Sequence, residues 1–61
     1  MISTLKDFVV AVEALEYVSD AYYIFEEECT PELRDQIYSL ADKDSCEPFC
    51  SAMNFLGFED Y

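Results

Sequence analysis

The stretch Leu5–Glu28, LKDFVVAVEALEYVSDAYYIFEEE, decides the fold. Thr4 stands just before it and Asp7 follows three residues later, a capping-box-like start in which a side-chain oxygen takes a free backbone N–H of the first turn. Apolar residues then recur densely from Leu5 to Phe25. Spaced about 100° apart around a helix, Phe8, Ala11, Val12, Ala14, Leu15, Val18, Ala21 and Tyr22 fill a broad arc, while Glu13, Glu16, Asp20 and Glu27 share a narrow one. The pattern predicts one long first helix, mostly apolar, with a single acidic stripe. Ser19 and Asp20 mark where a break would come, with Ser19 capping a second helix. Tyr22–Phe25 also fits a short strand.

Downstream, Thr30 followed by Pro31 is a strong helix start, because the hydroxyl caps free N–H groups and proline sits where no N–H is needed. This second helix is expected to run to about Asp42, with Leu33, Ile37, Leu40 and Ala41 inward and Glu32, Asp35, Ser39 and Asp42 outward. Lys43, Asp44 and Ser45 read as a turn. Asp44 or Ser45 then caps a third helix, where Phe49, Ala52, Met53 and Leu56 repeat at helical spacing until Gly57 supplies a C′ stop. Phe58–Tyr61 reads as a short irregular tail. The expectation is an all-α, compact three-helix domain spanning residues 1–61, its first helix the longest.

Sixty-one residues make one domain, a size that buries only about 60% of its unfolded surface and is marginal without help. The composition is that of a folded chain, since 52% of residues are hydrophobic and 16% aromatic, whereas disordered acidic tails are poor in both. Asp7 interrupts any secretory pattern, and Pro48–Phe58, the longest uncharged run, is far shorter than the roughly 20 apolar residues of a spanning helix. Met1-Ile2 reads as an unprocessed start. Three cysteines, an odd number, point away from a fully paired disulfide framework and towards a reducing compartment. A cytoplasmic protein is expected, in the host cytoplasm if the chain is phage-encoded, and no membrane partner.

Fourteen Asp and Glu oppose three Lys and Arg, with no His, for a formal charge of −11. Neither Lys6, Arg34 nor Lys43 has an acid three or four places away within its own predicted helix. The acids instead neighbour one another. Glu13 to Glu16 and Glu16 to Asp20 stand at spacings where like charges cost roughly 0.2–0.5 kcal/mol each. Glu26, Glu27 and Glu28 gather at a helix end whose partial negative charge disfavours them, although the nearby start of the next helix offsets part of that cost. Over an unbroken helix, Glu13 to Glu27 would span roughly 21 Å, comparable to several nucleotides of phosphate backbone. A charge run is most often only a solvated face. Here the ordered, unpaired spacing favours a surface made to meet a basic site, with first contacts from Glu13, Glu16, Asp20, Glu26, Glu27 and Glu28, continued by Glu32 and Asp35.

In size, acid excess and helical pattern the chain resembles the small phage-type inhibitors that block CRISPR nucleases or restriction enzymes, some of them by imitating DNA. The resemblance implies a non-enzymatic anti-defence inhibitor whose partner is a basic, nucleic-acid-binding enzyme of the host. It implies no direct binding of nucleic acid, which the charge would repel. Those inhibitors share no common fold, so no residue role carries over from them.

A second reading starts from the apolar arc, which with Val10, Tyr17, Tyr22 and Ile24 covers more than two short helices can bury. Surplus aromatic surface marks interfaces, and a homodimer through the first helix would relieve the small-domain problem. On that reading the chain is a self-associating adaptor or regulator bound through Tyr17 and Tyr22. A third reading, an acidic shield for one basic protein, shares every feature of the first.

Other chemistries are weaker. Cys29, Cys46 and Cys50 lack the close pairs and histidines of a zinc site and read as buried small hydrophobes, although a disulfide from Cys29 to Cys46 or Cys50 would follow if the helices met. Asp42, Asp44 and Glu47 imitate part of a calcium loop, but its glycine position is Glu47 and its last ligand position is Met53. Without histidine there is no nucleophile–base pair, so neither catalysis, metal nor cofactor is expected.

Overall fold

The computed structural model describes residues 1–59 and 61. The fold is all-α. Among the described residues four α-helices follow in order: α1 (Leu5–Glu13), α2 (Ala21–Glu27), α3 (Pro31–Tyr38) and α4 (Pro48–Phe55), with a 3-10 turn at Val18–Asp20 ahead of α2. The count of three helices is thereby corrected to four.

Thr4 starts α1 as its sequence implies: its hydroxyl accepts from the Asp7 N–H at 3.2 Å. The helix then stops at Ala14, well before Ser19 and Asp20, and α2 begins at Ala21 with no capping bond from the Asp20 side chain. The long first helix therefore does not exist, and Tyr22–Phe25 is helix instead of strand. Size supplies the reason. A straight helix from Leu5 to Glu27 would be about 35 Å long at 1.5 Å per residue, beyond the 29 Å greatest extent of the molecule. Breaking it lets Phe8 and Val12 of α1 share one core with Ala21, Ile24 and Phe25 of α2. Fewer apolar groups then stay in water.

Leu33 and Ile37 of α3 and Phe49, Ala52 and Met53 of α4 complete that core, and α3 packs on both α1 and α4. Thr30 caps α3 through its hydroxyl, which accepts from the Leu33 N–H at 3.2 Å. The helix ends at Tyr38, short of Asp42, so that Leu40 and Ala41 are only half-buried in the following turns. α4 starts at Pro48, later than an Asp44 or Ser45 cap would allow. Those two residues stay in the loop, where Asp42 Oδ1 accepts from the Asp44 N–H and Ser45 Oγ from the Glu47 N–H.

Gly57 stops α4 in the left-handed region, at φ 105°. The Phe58 N–H donates to the Met53 carbonyl and the Gly57 N–H to the Asn54 carbonyl, both at 3.0 Å, which is the bond pair of a Schellman stop. The tail beyond it is irregular but not loose: Tyr61 sets its ring edge-on to Phe49 at 5.2 Å. Asp60, within that tail, lies outside the described residues. At the other end Ile2 pairs in parallel with Cys29, its N–H donating to the Glu28 carbonyl at 2.7 Å and its carbonyl accepting from Thr30 at 3.0 Å. None of the described helices is long and apolar enough to cross a membrane.

Candidate functional site

Every described Asp and Glu is exposed, and among the described residues no polar or charged residue is buried. The acids expected to make contact are nevertheless placed differently from a straight row. Glu13 ends α1, Glu16 lies in the linker, and Asp20 closes the 3-10 turn. Glu26 and Glu27 form the last turn of α2, Glu28 is its C-cap, Glu32 lies in the first turn of α3, and Asp35 follows on that helix. A continuous stripe from Glu13 to Glu27 is overturned by the break at Ala14–Tyr17.

The fold does hold together the α2–α3 junction. Glu26, Glu27, Glu28 and Glu32 fall within seven successive residues whose backbone is fixed from both sides. Ile2 bonds the chain at Glu28 and Thr30, the Thr30 hydroxyl caps α3, and the Cys29 side chain is buried between them. No basic residue lies in the last turn of α2 to offset its acids. Arg34, the chain's one arginine, has its Nε buried without a hydrogen-bond partner among the described residues.

The two tyrosines divide. Tyr17 is 64% exposed in the linker, whereas Tyr22 belongs to an aromatic cluster, stacked on Phe25 at 5.9 Å and edge-on to Phe49 at 5.1 Å. Phe25 extends the cluster to Tyr38 at 5.0 Å and meets Phe49 at 4.8 Å. The Glu26 carboxylate, one turn on, and then burial push the Tyr22 phenol up to about 12. Its ring is an internal brace as much as a surface.

Tyr23 and Phe55 are exposed apolar groups that the sequence does not single out, whereas Val10, part of the surplus apolar arc, is indeed 55% exposed. For Tyr23 a signal existed. On a helix that begins at Ala21, Tyr23 points roughly opposite to Ala21, Ile24 and Phe25, but an assumed single helix from Leu5 obscures that face.

The three cysteines are free thiols: Cys29 is buried, Cys50 half-buried and Cys46 exposed, so the reading of all three as buried hydrophobes is corrected for two of them. Burial pushes the Cys29 and Cys50 thiols up, against the activation a nucleophilic cysteine needs. No group of three or more Cys, Asp or Glu among the described residues converges as metal ligands would. Two open depressions of about 200 and 210 Å³ flank Val18, one lined by Ser19, Cys50 and Tyr61 and the other by Gly57, Phe58 and Glu59. Comparison with known proteins finds no matching family model, no similar curated protein and no similar solved structure.

Proposed function

We propose that this chain is a non-enzymatic inhibitor that occupies the basic, nucleic-acid-binding site of a host nuclease or other nucleic-acid enzyme, presenting carboxylates where phosphates would lie. The observation that carries the reading is the α2–α3 junction, where Glu26, Glu27, Glu28 and Glu32 are exposed on a backbone pinned by Ile2 and Thr30. Stability accounts for Glu32, in the first turn of α3, but not for the three acids that end α2. Acids at a helix C-terminus oppose the macrodipole, and packing like charges together adds repulsion. A fixed geometry, in contrast, helps binding, because less freedom is lost when the partner arrives. Glu13, Glu16, Asp20 and Asp35 extend the surface on neighbouring elements and steer encounter from a distance.

The test is capture of the partner from a host lysate, with and without competing duplex DNA. The expected partner is a nucleic-acid enzyme that the duplex displaces, that loses at least tenfold in affinity between low and moderate salt, and that fails to bind the Glu27→Lys, Glu28→Lys double variant. Binding that neither salt nor the double variant changes would rule out the reading.

The second reading, a self-associating adaptor or regulator, draws on Val10 and Phe55, which are 55% and 70% exposed and lie outside the aromatic cluster. Of its two anchors Tyr17 is free, but Tyr22 is partly used within the monomer. Sedimentation at twice the chain mass, returning to the chain mass in Phe55→Ser, supports it. Sedimentation as a monomer at high concentration removes it.

A further inference from the structure

Tyr23 is 65% exposed at the centre of the outward face of α2, turned away from the core that Ala21, Ile24 and Phe25 enter. Asp20 precedes it by three residues, and Glu26 and Glu27 follow by three and four, the spacings at which helical side chains are neighbours. All three acids are exposed. Tyr17, 64% exposed, stands one 3-10 turn before Asp20, whose N–H donates to its carbonyl at 3.0 Å. The result is an aromatic face bordered by carboxylates, contributing little burial to the fold.

We propose that this face receives arginine side chains of the basic partner, a guanidinium lying flat on the Tyr23 ring with its N–H groups directed to the flanking carboxylates. The inference rests on the reading of the chain as a binder of basic surfaces and specifies its chemistry. Arginine fits better than lysine, since its planar, weakly hydrated cation stacks on an aromatic ring and still donates to carboxylates, whereas an ammonium is a compact, strongly hydrated charge. A wholly apolar partner would strip water from three carboxylates without replacing their hydrogen bonds. A nucleic-acid strand offers bases to stack on but brings phosphates against a chain of charge −11. A second copy would set acid against acid.

Titration of the full chain with hexa-arginine and hexa-lysine peptides at one ionic strength tests it, for the native protein, Tyr23→Ala and Tyr23→Phe. The exposed position of Tyr23 makes unfolding by either substitution unexpected. The native chain should prefer hexa-arginine, Tyr23→Ala should lower the arginine-to-lysine affinity ratio about two- to fivefold, and Tyr23→Phe, which keeps the ring, should preserve it. An unchanged ratio in Tyr23→Ala, with both peptides still bound in a salt-dependent way, overturns the arginine face and leaves the acidic-inhibitor reading standing. Failure of both peptides to bind the native chain overturns both.

Discussion

Two junctions turn this chain between helices beside clustered acids, and they are built differently. At Ala14–Tyr17 the described main-chain bonds are short-range: Ala14 N–H to Val10, Leu15 N–H to Val12 and Asp20 N–H to Tyr17, at 3.0–3.1 Å. No side chain caps the 3-10 turn or α2 there. At Glu28–Thr30 the N-terminal segment returns to clasp the junction through both backbone groups of Ile2, and a threonine caps the helix beyond. The contrast separates two ways of carrying charge. Glu16 rides on a turn whose main-chain bonds are all local, with Leu15 and Val18 packed on the core, whereas Glu28 rides on one whose backbone is bonded by a distant part of the chain. The second kind adds long-range bonds to the backbone that carries the carboxylates, which raises the cost of opening it locally.

The largest way to break this contrast is through the packing beneath the clasped junction. Phe25, 2% exposed, meets the rings of Tyr22, Tyr38 and Phe49, so Phe25→Ala should cost about 3–5 kcal/mol in urea denaturation, enough to unfold much of a domain this small. Leu15→Ala, at a half-buried site by the other junction, should cost less than half as much. Equal costs would mean that the two junctions are equally anchored. Next in size is the clasp itself. Ile2→Pro removes the N–H that Glu28 receives, which should cost roughly 1 kcal/mol and speed hydrogen exchange at the Thr30 amide while leaving that of Leu15 unchanged. An unaltered Thr30 rate would show that the N-terminal pairing does not hold the junction.

The same contrast explains what was legible in the sequence. Thr4, Thr30-Pro31 and Gly57 announce themselves because each acts within three or four residues of its own position, through a hydroxyl, an absent N–H or a positive φ. The end of α1 has no such marker. Ala14, Leu15 and Glu16 are all good helix formers, and the helix stops there because Phe8 and Phe25 must enter one core, a demand set by the whole fold. The clasp was equally hidden, since nothing local tells Ile2 to pair with Cys29. Exposure of the candidate acids could be read from composition and spacing. Their division into a fixed group and a less constrained one depended on contacts between distant segments.

A smaller effect probes the ring that braces the clasped side. The Glu26 carboxylate first, and then burial, raise the Tyr22 phenol to about 12 from its ordinary 10.0. A raised folded value means that the folded chain holds this proton more tightly than the unfolded chain does. The resulting contribution is complete below pH 10 and is lost as pH climbs from 10 towards 12. An ultraviolet titration of the tyrosines should therefore contain a late-ionising phenol, and Glu26→Gln should bring it earlier. A curve that Glu26→Gln leaves unchanged would show that this carboxylate does not govern the phenol.

The smallest effect separates stability from purpose. Glu28 caps the C-terminal end of α2, where a cation would complement the macrodipole, and its side chain is exposed. Glu28→Lys should therefore stabilise the fold by about 0.3–1 kcal/mol, read as a higher urea midpoint, because the backbone carbonyl that Ile2 uses is untouched. Glu16→Lys, on the less constrained turn, should shift the midpoint less. If the acids of the clasped junction make the partner contact, Glu28→Lys must also weaken partner binding more than Glu16→Lys does, so that a gain in stability accompanies a loss of affinity. Equal losses from the two variants would mean that the partner senses total charge alone, and the clasp would then serve the fold without serving recognition.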